Sequence, residues 1–225
     1  HTHTHTGPFN SWDRSPHIFP GPDGLPTMTP AFNSLYGNFI INGGGGMFPI
    51  DHDDGSQRYR DTHNVLLYGG AKYFMGNEKI ADSNLYVFPD IVQGGSCIYN
   101  QGPQWPEAGY GEKYTNNHCL LYNASHIGGH DSTTSAANTF GASCDIGRLN
   151  LTVTHTANNT YMATDGFPAG GPAIMCGAKV IKFSAWQALG QEAGSVARLL
   201  PAPALVVAMA RQVLAAAPFA ACQLH

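Results

Sequence analysis

Short runs of large apolar or β-branched residues recur along this chain, each led by an asparagine that closes a polar stretch. Four are plain: Gly37-Asn38-Phe39-Ile40-Ile41-Asn42, His63-Asn64-Val65-Leu66-Leu67-Tyr68, Ser83-Asn84-Leu85-Tyr86-Val87-Phe88 and Asn117-His118-Cys119-Leu120-Leu121-Tyr122. Two more resemble them, Asn150-Leu151-Thr152-Val153 and Asn159-Thr160-Tyr161-Met162. Strands this short cannot stand alone in water. Stacked on like strands they can, each bonding to the strand one repeat above. Asparagine suits the corner because it tolerates left-handed geometry and bonds its own backbone. Stacked asparagine side chains can also bond one another along the stack. The pattern predicts an all-β fold, a parallel β-helix with long loops. The competing arrangement is an antiparallel β-sandwich. Because the asparagine precedes the strand each time, the solenoid is favoured.

Between these runs the chain changes character. His1 to Thr6 alternates perfectly and predicts a strand with His on one face and Thr on the other. Residues 7–33, 98–113 and 126–146 read as long loops, the first rich in Pro. Ser184 predicts the N-cap of a short helix or turn. Pro203 to Ala217 has helical composition, with Leu205, Val206, Met209, Val213 and Leu214 on one apolar side. A solenoid needs its open end covered, and this helix is the expected cap. The organisation expected is β-helix turns over 1–183, a C-terminal helical cap over 184–217, and a disordered or extended tail over 218–225. The opening does not read as a natural start and predicts a mature product or a piece of a longer precursor.

Composition narrows the function classes. Charged residues are 12% of the 225, about half the usual ~25%, which disfavours coiled coils and long solvated helices. The 27 Gly and 15 Pro imply many turns. A net charge of −4 gives no basic excess, so nucleic acid is not an expected partner. The most apolar stretch, Ala202 to Ala221, carries Arg211 at its centre and two prolines, so no membrane span is expected. Three sequons, at Asn123, Asn150 and Asn158, together with isolated cysteines, point to a secreted or extracellular glycoprotein. No Cys-x-x-Cys pair supports a zinc site. Cys97 and Cys119 are about one solenoid turn apart and are expected to lie above one another and bridge. Cys144 with Cys176 would be a second pair, leaving Cys222 free, although four cysteines allow three connectivities.

The segments Pro49-Ile50-Asp51-His52-Asp53-Asp54-Gly55-Ser56, Tyr59, and Asp61-Thr62-His63-Asn64-Val65-Leu66-Leu67-Tyr68-Gly69-Gly70-Ala71-Lys72 resemble secreted, pectate-lyase-like right-handed parallel β-helix proteins of algae and other microbial eukaryotes. The opening His1 to Asp13 and the stretch Trp186 to Ser195 are similar to the same family. The likeness covers roughly residues 1 to 214 and is more specific for fold than for activity. It implies the C-terminal portion of a longer solenoid. It also implies a polysaccharide-related role, with acidic residues near the active cleft.

The acidic cluster is the sharpest candidate for chemistry. On a strand Asp51 and Asp53 share one face, and His52 and Asp54 the other. Paired carboxylates serve glycoside hydrolysis as acid and base or nucleophile, and the resemblance points to Asp53 and Asp54, assisted by His52 or His63. Asp61 or His63 would supply a partner from the neighbouring turn. The plain alternative is an Asp54-Gly55-Ser56 turn. Asp51, Asp53 and Asp54 are also candidate calcium ligands. Trp12, Tyr59 and Trp105 are candidates for stacking on sugar, and Arg58 for binding a uronate carboxylate. No Ser-His-Asp order, nucleophile elbow, P-loop or dinucleotide fingerprint occurs. Two functions stand open: a polysaccharide-active protein, glycosidase-like or lyase-like, or a non-catalytic structural or adhesive subunit packed against neighbouring subunits of an extracellular assembly.

Overall fold

The computed structural model describes residues 8–12, 32–42, 46, 48–53, 55–74, 76, 78–92, 95–100, 111–123, 138–140, 154–167, 169, 171–176 and 179–216. The expected opening strand, Asp54, Trp105, Cys144, Asn150, Cys222 and the tail 218–225 lie outside the described residues, as does the side chain of Cys176.

The chain makes repeated circuits of three short strands. The first is β1 (Phe9–Trp12), β2 (Asn33–Tyr36) and β3 (Phe39–Ile41), and the second β4 (Ile50–Asp53), β5 (Tyr59–Thr62) and β6 (Val65–Leu67). The third is β7 (Ala71–Tyr73), β8 (Ile80–Asp82) and β9 (Leu85–Val87), and the fourth β10 (Ile98–Asn100), β11 (Glu112–Thr115) and β12 (His118–Leu121). The fifth is β13 (Asn138–Phe140), β14 (Thr154–Ala157) and β15 (Thr160–Ala163). Then come β16 (Ala173–Cys176), β17 (Lys179–Lys182), a short helix α1 (Phe183–Ala188), β18 (Val196–Leu199) and a longer helix α2 (Pro203–Ala216).

Every third strand joins the same sheet. The first sheet runs β1-β4-β7-β10-β13-β16-β17, the second β14-β11-β8-β5-β2, and the third β18-β15-β12-β9-β6-β3. All pairings are parallel except β16 with β17. The protein is all-β with parallel sheets, and the antiparallel sandwich is excluded for the described strands. Five asparagine-led runs become β3, β6, β9, β12 and β15, all in the third sheet. All three segments expected as loops contain strand residues: β1 falls in 7–33, β10 and the start of β11 in 98–113, and β13 in 126–146. Their strands are short and mixed in polarity, so no apolar run marks them.

The asparagine row is present, with one correction. Asn38, Asn64, Asn84 and Asn117 each donate from Nδ2 to Oδ1 of the next asparagine, the last reaching Asn159, at 2.9–3.2 Å. The same Oδ1 atoms accept the backbone N–H of the preceding member. The left-handed residue, however, is the one before: Gly37, His63, Ser83, Asn116 and Asn158 have φ of 54° to 65°. The turn is made one position early, which frees the row asparagine to aim its amide inward.

Between the sheets lies a core of Ile40, Ile50, Leu66, Tyr73, Tyr86, Ile98, Tyr114, Leu121 and Tyr161. Phe183 and Trp186 of α1 belong to it, with Phe183 edge-on to Tyr161 at 5.7 Å between centroids. The helix begins at Phe183 with Lys182 before it, so Ser184 is not its N-cap. Cys97 and Cys119 are bridged, as expected. Both sit in the fourth circuit, one just before β10 and one in β12, so the bond ties a circuit to itself rather than to the one above.

The longer helix does not cover an end. It lies against β6 and β9, in the middle of the third sheet. Val206, Met209, Ala210, Val213 and Leu214 pack on Val65, Leu67, Leu85, Val87, Leu120 and Met162, while Leu205 is exposed. The reason is in the sheet: its outward positions are as apolar as its inward ones and need cover. No described helix is long and apolar enough to cross a membrane.

Candidate functional site

Strand alternation sorts the acidic strand β4 into two faces. Ile50 joins the core, and His52 points the same way. Asp51 and Asp53 point outward. In register with them on β7 is Lys72, opposite Asp51. Its Nζ lies 3.1 Å from Asp51 Oδ1 and 2.8 Å from Asp53 Oδ1, and 4.8 Å from the centre of the Phe74 ring. One ammonium therefore holds both carboxylates. Asp51 and Lys72 are almost wholly buried, and Asp53 keeps 23% of its side chain accessible. On β1, Trp12 pairs in register with Asp53 and is 68% exposed. The outer face thus presents a largely exposed indole in register with the more accessible carboxylate of the pair.

The charge that calcium would bring to Asp51 and Asp53 is already supplied by Lys72. Two carboxylates around an ammonium do not fit a calcium ion, which takes six to eight oxygen ligands. Among the described residues no group of three His, Cys, Asp or Glu side chains could hold a metal.

His52 works on the other side of the strand. Its Nδ1 is 2.8 Å from Ser11 Oγ, and its Nε2 is 2.8 Å from Asp61 Oδ2. Tyr73 Oη donates to the same Oδ2 at 2.7 Å. Ser56 Oγ lies 2.9 Å from Ser11 Oγ and donates to the Ser11 carbonyl at 3.0 Å. Tyr59 stacks on the His52 ring at 4.0 Å. Ser11, His52 and Asp61 thus line up in space, although their distance in sequence gave no sign of it. With Asp61 and His52 only 1% exposed, this network knits three strands from within. Burial, and after it the Asp61 carboxylate, hold the Tyr73 hydroxyl well above its ordinary range.

The remaining sequence candidates scatter. His52 and Tyr59 are committed to the interior network rather than to Asp53. His63 turns the chain between β5 and β6 and packs edge-on to Tyr36, at a different corner from the acidic strand. Asp61 partners His52, not Asp53. Arg58 Nε pairs with Glu78 Oε2 at 2.7 Å, one circuit on. Asn158 is an exposed corner residue, its N–H bonded to the Ala193 carbonyl at 2.9 Å. Asn123 donates its backbone N–H to Asp90 Oδ2 at 2.7 Å. Sequence reasoning gave Lys72 no role. The signal was its position one circuit beyond Asp51, readable only once the register is known. Scans against family models, curated proteins and solved structures find no match to this chain.

Proposed function

We propose that the three parallel sheets are the faces of a right-handed parallel β-helix of the pectate-lyase-like kind, and that the protein is extracellular and recognises polysaccharide on the outer face of its first sheet. The observation that carries this reading is the pair Trp12 and Asp53: a 68% exposed indole in register with an accessible carboxylate. A large exposed ring on a strand face is a surface on which a sugar can stack. A sugar ring offers C–H groups to the indole and hydroxyls to the carboxylate. The Cys97–Cys119 disulfide and the sequons support an oxidising, extracellular setting.

Turnover is a further step of the same reading. Asp51 and Asp53 share the single ammonium of Lys72, whereas glycosidase-like hydrolysis needs one of two carboxyl groups to act as an acid. Recognition is therefore the firmer part, with Asp53 accepting hydroxyl protons and Lys72 fixing its rotamer. The test is affinity electrophoresis in gels cast with neutral and acidic polysaccharides, alongside a reducing-sugar and unsaturated-product assay. Retardation that is lost in Trp12→Ala and Asp53→Asn, with unchanged melting, supports the site. A parent protein that neither slows nor releases product from any polysaccharide removes it. The scaffold reading then takes its place, favoured by Phe39 and Ile41, each 56% exposed on the edge strand β3.

A further inference from the structure

One cluster away from that face holds all the parts of a self-modifying site. Lys79 sits just before β8, Glu112 opens β11 beside it, and Asn100 ends β10 at the same corner. All three side chains, with Tyr114, are 0% exposed. Glu112 bridges the other two: its Oε1 is 3.3 Å from Lys79 Nζ, and its Oε2 accepts from Asn100 Nδ2 at 2.5 Å. Tyr114 Oη also lies 2.5 Å from Asn100 Nδ2 and fixes the amide. A lysine amine and an asparagine side-chain amide thus share one carboxylate, away from water.

We propose that Lys79 and Asn100 are joined in the mature protein by an isopeptide bond, formed by the folded chain itself with Glu112 as the proton carrier. Lys79 Nζ, as the neutral amine, attacks Asn100 Cγ. Glu112 takes one proton from Nζ and delivers it to Nδ2. The Cγ–Nδ2 bond breaks, ammonia leaves, and an Nζ–Cγ amide remains. One amide replaces another, one ammonia is released, and no oxidant or outside reactant is needed. Burial, opposed by Glu112, lowers the Lys79 pKa, which favours the reactive neutral form. Both groups are gathered by the fold around the Glu112 carboxylate, so their meeting needs no collision. The bond would tie the third circuit to the fourth, at a corner the disulfide does not reach.

Intact mass of the full, folded, then reduced and alkylated chain tests this. The expected mass is below that of the sequence by one ammonia. Digestion should give a branched peptide joining the segments around Lys79 and Asn100, with no tryptic cleavage after Lys79. Lys79→Arg and Glu112→Gln should each restore the full mass, and Lys79→Arg also excludes succinimide formation, which loses ammonia without a lysine. A wild-type mass equal to the unmodified sequence overturns the proposal, whatever the variants do. So does ammonia loss that persists in Lys79→Arg.

Discussion

His52 and Asp61 meet across the corner between β4 and β5, Nε2 to Oδ2 at 2.8 Å, with both side chains shut away from water. Tyr73, from the next circuit, ends on the same oxygen. Asp61→Ala would leave a ring nitrogen and a phenol without their acceptor inside the core. Removing one partner of such a buried pair costs about 3–5 kcal/mol. Urea unfolding should show that loss, and an unchanged midpoint would mean that the corner is held by packing alone.

The buried phenols set a limit at high pH. Burial raises the hydroxyls of Tyr73, Tyr86 and Tyr114 above the ordinary value, helped by Asp61 at the first two and by Glu112 at the third. A raised folded-state pKa contributes stability that is fully present below the unfolded value of about 10 and is lost as pH climbs beyond it. Phenolate absorbance should therefore lag behind that of free tyrosine, then rise together with loss of structure. Smooth ionisation of all ten tyrosines while the circular dichroism stays native would contradict this.

Removing a link from the asparagine row should cost more in its middle than at its start. Asn84 accepts from Asn64 twice and donates to Asn117 Oδ1 and to the Asp61 carbonyl. Asn84→Ala strands several buried groups, at about 1–3 kcal/mol each. Asn38 donates to Asn64 but is only half-buried, so Asn38→Ala should be milder. Equal midpoints for the two variants in chemical denaturation would refute a row that acts as a unit.

Helix α2 should be separable from the sheets. None of its residues is buried, so its hold on the third sheet is one half-covered stripe. Val213→Asp puts a charge into that stripe. Hydrogen exchange should then speed up in α2 and on the exposed side of β6 and β9, while the first two sheets keep their protection. Exchange that accelerates throughout the chain would show that the helix is integral to the core.

Much of the fold was legible because one sheet repeats its own rule. The middle strands of the third sheet are apolar on both faces, since α2 covers their outside, so Val65-Leu66-Leu67 and Leu85-Tyr86-Val87 stand out as unbroken runs. The other two sheets carry Asp51, His52, Lys72, Asp61 and Glu112 in their strands. His52, Asp61 and Glu112 bond to polar groups of their own and neighbouring circuits, and such bonds leave no periodic mark. The position of α2 was missed for the same reason: amphipathicity says that a stripe must be covered, not by which surface. At the candidate site Asp53 and Trp12 could be named from residue type, whereas Lys72 and Ser11 needed the register. Gly70 was equally silent. A β-carbon there would fall 1.8 Å from the Ser96 carbonyl oxygen, a contact made by a distant part of the chain.

The asparagine row has a direction. Along the row each side-chain amide donates one N–H to the later circuit, and from Asn64 on each carbonyl accepts from the earlier one, while the second N–H of these goes to a backbone carbonyl of the circuit before. Their dipoles therefore add, as peptide dipoles do along an α-helix, and the positive pole emerges at Asn159. There Nδ2 donates to Glu192 Oε2 at 3.0 Å, and Tyr161 Oη and Ser195 Oγ complete the carboxylate's surroundings. The buried Glu192 side chain thus receives the last N–H of a column of aligned amides, and the row ends on it as a helix begins on its aspartate.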